Sequence, residues 1–109
     1  MKYLSVILII GGFFISSISA AEGNITAGDI TLIKLYQGHG GILIQHSNLA
    51  DPDECGRADY FILPDTYPYF EEAYSLLLAA QMADKKVSFT VSNCHEGIPA
   101  IKHINLSKQ

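Results

Sequence analysis

The stretch KVSFTVSNCHEGIP, Lys86 to Pro99, decides how this chain is read. Its first half alternates Val87, Phe89 and Val91 with Ser88, Thr90 and Ser92, a period of two that marks a strand with one buried and one wet face. Its second half sets Cys94 beside His95 and Glu96, ahead of a Gly-x-Pro turn. Three readings of Cys94 compete: half of a disulfide, a metal ligand, or a nucleophile with its base next door. Neighbouring residues on a strand point to opposite faces, so His95 is poorly placed to activate Cys94. A nucleophile would also need a reduced thiol with a depressed pKa.

The compartment favours the disulfide. The chain opens MKYLSVILIIGGFFISSISAAEGN, with Lys2 before an apolar run to about Ile15 and small residues after it. That order is the pattern of an export signal. The expected signal is residues 1–21, cut after Ala21 or one residue earlier. An uncleaved anchor is the competing reading, weakened by Gly11-Gly12 and the serine-rich end. Removing the signal takes away one positive charge, leaving residues 22–109 with 6 basic against 11 acidic residues and a net charge of −5. These 88 residues form one expected domain, small enough that a staple matters. The chain has two cysteines, Cys55 and Cys94, and an oxidising compartment, periplasmic or extracellular, would join them. Closing that loop stabilises by roughly 4 kcal/mol in the chain-entropy model.

Working outward from the strand gives the order of elements. DITLIKLYQ (Asp29 to Gln37) and ILIQH (Ile42 to His46) read as a hairpin around the glycine-rich Gly38 to Gly41. SNLADPDECGRAD is a loop, and YFIL (Tyr60 to Leu63) is a third strand. The period then changes. Asp65 or Thr66 can cap a helix over 68–83, with Pro68 in its first turn, Glu71 and Glu72 at its positive end and Lys85 and Lys86 closing it. Tyr69, Ala73, Leu76, Leu77 and Ala80 supply its apolar stripe. IPAIKHINL closes the chain as a strand whose isoleucines recur every third residue, which calls for a bulge. The expected fold is therefore mainly β with one helix, in the order β-β-β-α-β-β. That is the order of the OB-fold, a five-stranded barrel with its helix between the third and fourth strands. Cys55 and Cys94 would then lie in loops at the same end of the barrel. Another α+β sandwich with this order is the alternative.

Cys55, Tyr60, Leu63, YSLLLAAQMADKKVSFTVSNC and IPAIKHINL resemble a group of small exported bacterial proteins of unassigned activity. More loosely, an exported OB-like domain with one disulfide is similar in architecture to the cell-binding B subunits of AB5 toxins. That likeness implies a glycan ligand and a homo-oligomeric ring. It carries over no sugar-binding residue.

The side chains narrow the chemistry. Nucleic acid, the usual OB ligand, needs basic grooves that track phosphates, and this chain is acidic. The four histidines, His39, His46, His95 and His103, show no HxH or HxxxH spacing. His46 and His95 approaching each other near Asp53 or Glu54 is the metal arrangement a barrel would permit. The acidic run Asp51 to Glu54 lacks the alternation and trailing glutamate of a calcium loop and reads as solvated. No triad is recognisable, so no cofactor, metal or catalytic residue is expected. Among the six tyrosines, Tyr69 and Tyr74 are expected to pack the helix on the sheet. Tyr36, Gln37 and His39, in the first hairpin, are the candidate ligand contacts, because that loop is a recognition element of OB barrels. The expected function is an exported, non-catalytic domain that binds a glycan or a protein surface, with no membrane association once the signal is removed. A small secreted inhibitor or accessory subunit is the second reading, and a small hydrolase or metal-dependent enzyme the third.

Overall fold

A computed structural model describes residues 23–108; the expected signal, residues 1–21, lies outside them. The elements are β1 (Gly23–Gly28), β2 (Ile30–Lys34), β3 (Gly41–His46), β4 (Phe61–Pro64), α1 (Phe70–Ala83), β5 (Val87–His95) and β6 (Ile98–Asn105). The strands form a six-stranded sheet in the order β1-β5-β6-β4-β3-β2. Every pairing is antiparallel except β4 with β6, which run parallel at Ile62↔Ala100. The protein is thus mainly β with one helix. It has six strands where the sequence predicts five, and no ladder joins β1 to β2, so the sheet is not closed into a barrel.

The additional strand comes from the polar lead-in. GNITAG has one large apolar side chain, Ile25, and no clear alternation, yet β5 recruits it through Asn24↔Thr90 and Ile25↔Phe89. Ile25 then joins the core, and Thr90 Oγ1 donates to Asn24 Oδ1 at 3.3 Å. The predicted first strand stops early. β2 ends at Lys34, and Leu35 and Tyr36 beyond it are 68% and 50% exposed.

Between β1 and β2 stands a single residue, Asp29, and the chain turns there from pairing with β5 to pairing with β3. Gly28 is required at this corner, because a Cβ would collide with Ser47, His46 and Asn48. The His46-Ser47-Asn48 segment supplies several partners to the corner's backbone. Ser47 Oγ accepts the Asp29 N–H at 2.9 Å, and the Ser47 N–H donates to Asp29 O at 3.0 Å. Asn48 Nδ2 donates to Thr26 O and Ala27 O, and His46 reaches Val87 O at 2.8 Å. Lys86 adds an ion pair to Asp29 at 3.2 Å.

Two apolar clusters lie on opposite faces of the sheet. Ile42 and Ile44 of β3, Phe61 and Leu63 of β4, and Val87, Phe89 and Val91 of β5 pack with Ala73, Leu77 and Ala80 of α1. The alternate residues Leu43, Ile62, Ile98 and Ala100 form the second cluster, with Tyr60 against it. β6 explains its odd spacing by using both faces. Ile98 belongs to the second cluster and Ile101 to the first, and a bulge at Lys102 returns Ile104 to the face of Ile101.

The helix begins at Phe70, two residues later than predicted, with Tyr69 at its N-cap. Neither Asp65 nor Thr66 caps it, since the chain first makes a turn in which Tyr67 N–H donates to Pro64 O. Tyr69 is 67% exposed instead of packing on the sheet, while Tyr74 packs against the core as expected. No lysine lies in the last turn. Asp84, in the left-handed conformation at φ 59°, ends the helix, and its N–H and that of Lys85 take the terminal carbonyls.

The disulfide Cys55–Cys94 is present, with Cα atoms 5.7 Å apart. It ties the 47–60 loop to the outer end of β5. Replacing both cysteines by serine should cost roughly 4 kcal/mol. Urea unfolding of that variant against the oxidised parent checks this. Replacing His46 by Ala should cost roughly 2–4 kcal/mol through a core cavity and two orphaned backbone groups, read from the same curves.

Candidate functional site

The β5–β6 connection brings the loops together. Glu96 and Gly97 lie between the paired residues His95 and Ile98, and both have positive φ, 55° and 77°. A two-residue turn with two left-handed residues is type I′, in which Asn, Asp or Gly is normally preferred. Glutamate at its first position is strained by roughly 1–2 kcal/mol. Its side chain explains its presence. Glu96 Oε1 meets His39 Nδ1 at 2.8 Å, and Oε2 accepts the Gly40 N–H at 2.9 Å. His95 Nε2 donates to Gly40 O at 2.9 Å, and the Asp65 N–H to the same oxygen at 3.0 Å. The peptide groups on both sides of Gly40 are held from across the molecule, so the 35–40 loop is locked to the hairpin tip.

The locked loop presents its aromatic side chain to a shallow groove. Lys34 is opposite Leu43 in the ladder, and Leu43 is opposite Ile62, so Lys34 shares the outer face of the second apolar cluster. Its ammonium stands 5.1 Å from the Tyr36 ring centroid and 5.9 Å from that of Tyr60. The Arg57 guanidinium lies over the same Tyr60 ring, its Cζ 5.6 Å from the centroid. Arg57 is itself bidentate on Asp59, with Nε–Oδ1 and Nη2–Oδ2 both 2.6 Å. That pairing holds the Asp59 carboxyl below its ordinary range and the guanidinium above its own. These residues, with His39 and Leu43, enclose about 420 Å³.

Of the three nominated contacts, Tyr36 and His39 line this groove, their rings 5.4 Å apart, and His39 also serves the loop lock. Gln37 is exposed at the turn and makes no contact that assigns it a part. Lys34, Arg57, Asp59 and Tyr60 were not legible as a group, because the ladder and a 26-residue chain separation bring them together. The strand end placing Lys34 two residues before Tyr36 was the available signal.

His46 and His95 do not converge as a metal pair. His46 is buried between Phe61 and Phe89, accepting the Asn48 N–H at Nδ1 and donating from Nε2 to Val87 O. Among the described residues no group of three or more His, Cys, Asp or Glu side chains could hold a metal ion. The acidic loop is structural rather than merely solvated: Asp51 accepts the Cys55 and Gly56 N–H groups, and Asp53 accepts that of Asn93 at 2.5 Å. A larger cleft of about 540 Å³ separates the Pro64–Tyr69 segment from β5 and β6. Pro64, Pro68, Tyr67 and Tyr69 line it together with His95, Ile101, Lys102 and His103, and burial pushes the Tyr67 hydroxyl pKa up.

No family model, curated protein or solved structure matches this chain.

The His39 hydrogen bond, followed by the Gly40 N–H, lowers the Glu96 pKa below the ordinary carboxylate range. A carboxylate depressed on folding stabilises above its unfolded pKa, and that contribution is lost as pH falls through the folded one. Hydrogen exchange of the Gly40 amide, corrected for intrinsic rate, should therefore be protected near neutral pH and lose protection as the medium becomes more acid than the usual carboxylate range. Glu96→Ala should remove the protection at every pH.

Proposed function

We propose that this chain is an exported, non-catalytic binding domain that recognises a glycan on the outer face of an OB-like barrel. The OB reading is supported by the path of the chain: β1 and β2, at the two ends of the sheet order, are consecutive segments with Asp29 between them. Counted as one bent strand, they make five, with the helix between the third and fourth and a parallel pairing of third and fifth. In that fold the second and third strands, with the loops after the first and fourth, form the ligand face. Here those are β3, β4, the 35–40 loop and the Glu96 turn.

The observation that carries the sugar reading is the groove of Tyr36 and Tyr60 around Lys34. A pyranose presents a flat C–H face to such rings, and its hydroxyls bond to the phenol tips and nearby cations. Export is supported by the N-terminal pattern of residues 1–21 and by the Cys55–Cys94 bond. Among the described residues no helix is long and apolar enough to cross a bilayer.

A protein-contact reading rests on a different surface. Leu78 and Met82, one turn apart on α1, are 39% and 80% exposed and suit a neighbouring chain, in a ring or as an accessory subunit. Native mass spectrometry of the oxidised protein separates a closed ring from a monomer.

Screening on a glycan array should give binding that Tyr36→Ala and Tyr60→Ala each weaken about tenfold or more, with folding intact for the exposed Tyr36. Unchanged binding by both variants removes the groove from the function.

A further inference from the structure

The groove holds a cation without a counter-ion. In a chain with 11 acidic and 7 basic residues, no described acidic side chain forms an ion pair with Lys34. The two tyrosine rings lend its ammonium the negative potential of their faces, but they are neutral. The acidic residue of the lining, Asp59, is spent: each of its carboxylate oxygens accepts an Arg57 N–H at 2.6 Å. Glu96 is committed in the same way to His39 and Gly40. The lining charges therefore cancel within the Arg57–Asp59 pair, and one positive charge remains, framed by rings on an otherwise acidic molecule.

We propose that the sugar taken by this groove is acidic, with its carboxylate on Lys34 and its ring against Tyr36 and Tyr60. This rests on the glycan reading above and narrows it. A carboxylate gives Lys34 the charge-assisted hydrogen bond that the fold withholds. Arg57 holds the Tyr60 side of the groove while its Nε and one Nη serve Asp59, leaving further guanidinium N–H groups for sugar hydroxyls. A neutral sugar leaves the ammonium in water and gains the ring contact alone. An acidic peptide satisfies Lys34 equally well, yet offers no flat C–H face to the paired rings.

The test uses matched probes on the oxidised protein, followed by amide and aromatic chemical shifts in NMR titrations. Methyl glucuronide is compared with methyl glucoside, and methyl galacturonide with methyl galactoside, each pair differing in the carboxyl group. A glutamate-rich peptide is titrated in parallel. The expected result is that one or both acids perturb Tyr36 and Tyr60 with about tenfold tighter binding than the neutral partner, at low salt, and that the difference shrinks as salt rises. In Lys34→Gln the acid and neutral affinities should converge, and in Lys34→Arg the preference should persist. Equal binding of acid and neutral sugars overturns the inference and leaves the glycan reading standing. An acid preference that survives in Lys34→Gln also overturns it, by locating the cation elsewhere. If no sugar of either kind perturbs the groove, or the peptide alone does, the glycan reading fails and the inference with it.

Discussion

The corner at Gly28-Asp29 is the constraint on which the rest of the structure depends. A chain that leaves one strand and enters another after a single residue strands several N–H and C=O groups, and each buried one left unpaired costs about 1–3 kcal/mol. The HSN segment at 46–48 answers this with side chains from one turn: Asn48 takes two carbonyls of β1, Ser47 brackets Asp29, and His46 crosses to the first residue of β5. Because His46 also sits against Phe61 and Phe89, the same residue joins the polar corner to the apolar core. The positions of β1, β3 and β5 are thus set by one short turn, and β4, β6 and the helix are set by packing on them.

From that frame the groove follows by register. Pairing β2 with β3 and β3 with β4 lines Lys34, Leu43 and Ile62 along the face opposite the helix. The polar wall comes from the 47–60 loop, itself shaped by Asp51 and Asp53 and fastened by the disulfide. The aromatic wall comes from the 35–40 loop, fastened by Glu96. A shallow site between two loops would ordinarily lose affinity to the ordering of its walls on binding. Here both loops are held by bonds within the protein, one of them made by His39, which itself lines the groove.

Much of the fold was legible in particular residues. The alternation of Val87, Phe89 and Val91, the helical stripe through Ala73, Leu77 and Ala80, and the pairing of two cysteines each reflect local physics that a sequence states openly. Tyr36 was legible as exposed because it stands at the end of the first hairpin beside a glycine turn, although the strand itself ends at Lys34, earlier than the sequence suggests. What stayed hidden was nonlocal. GNITAG is a strand because β5 offers it an edge and the corner offers it caps, neither of which its own composition announces. The acids of the 51–54 run look interchangeable in sequence, and only the fold separates Asp51 and Asp53, which bind backbone amides, from Glu54, which does not. Glu96 reads as a poor turn residue until the loop it reaches is in place.

The Cys55–Cys94 bond has a consequence for when the groove exists. Cys55 lies two residues before Arg57, so the wall that bears Arg57, Asp59 and Tyr60 is anchored by a linkage that a reducing cytoplasm does not sustain. The geometry of that wall depends on the oxidation of two thiols as much as on the chain around them. A copy whose thiols are still apart would carry every residue of the groove without the covalent tie that joins its 47–60 loop to β5.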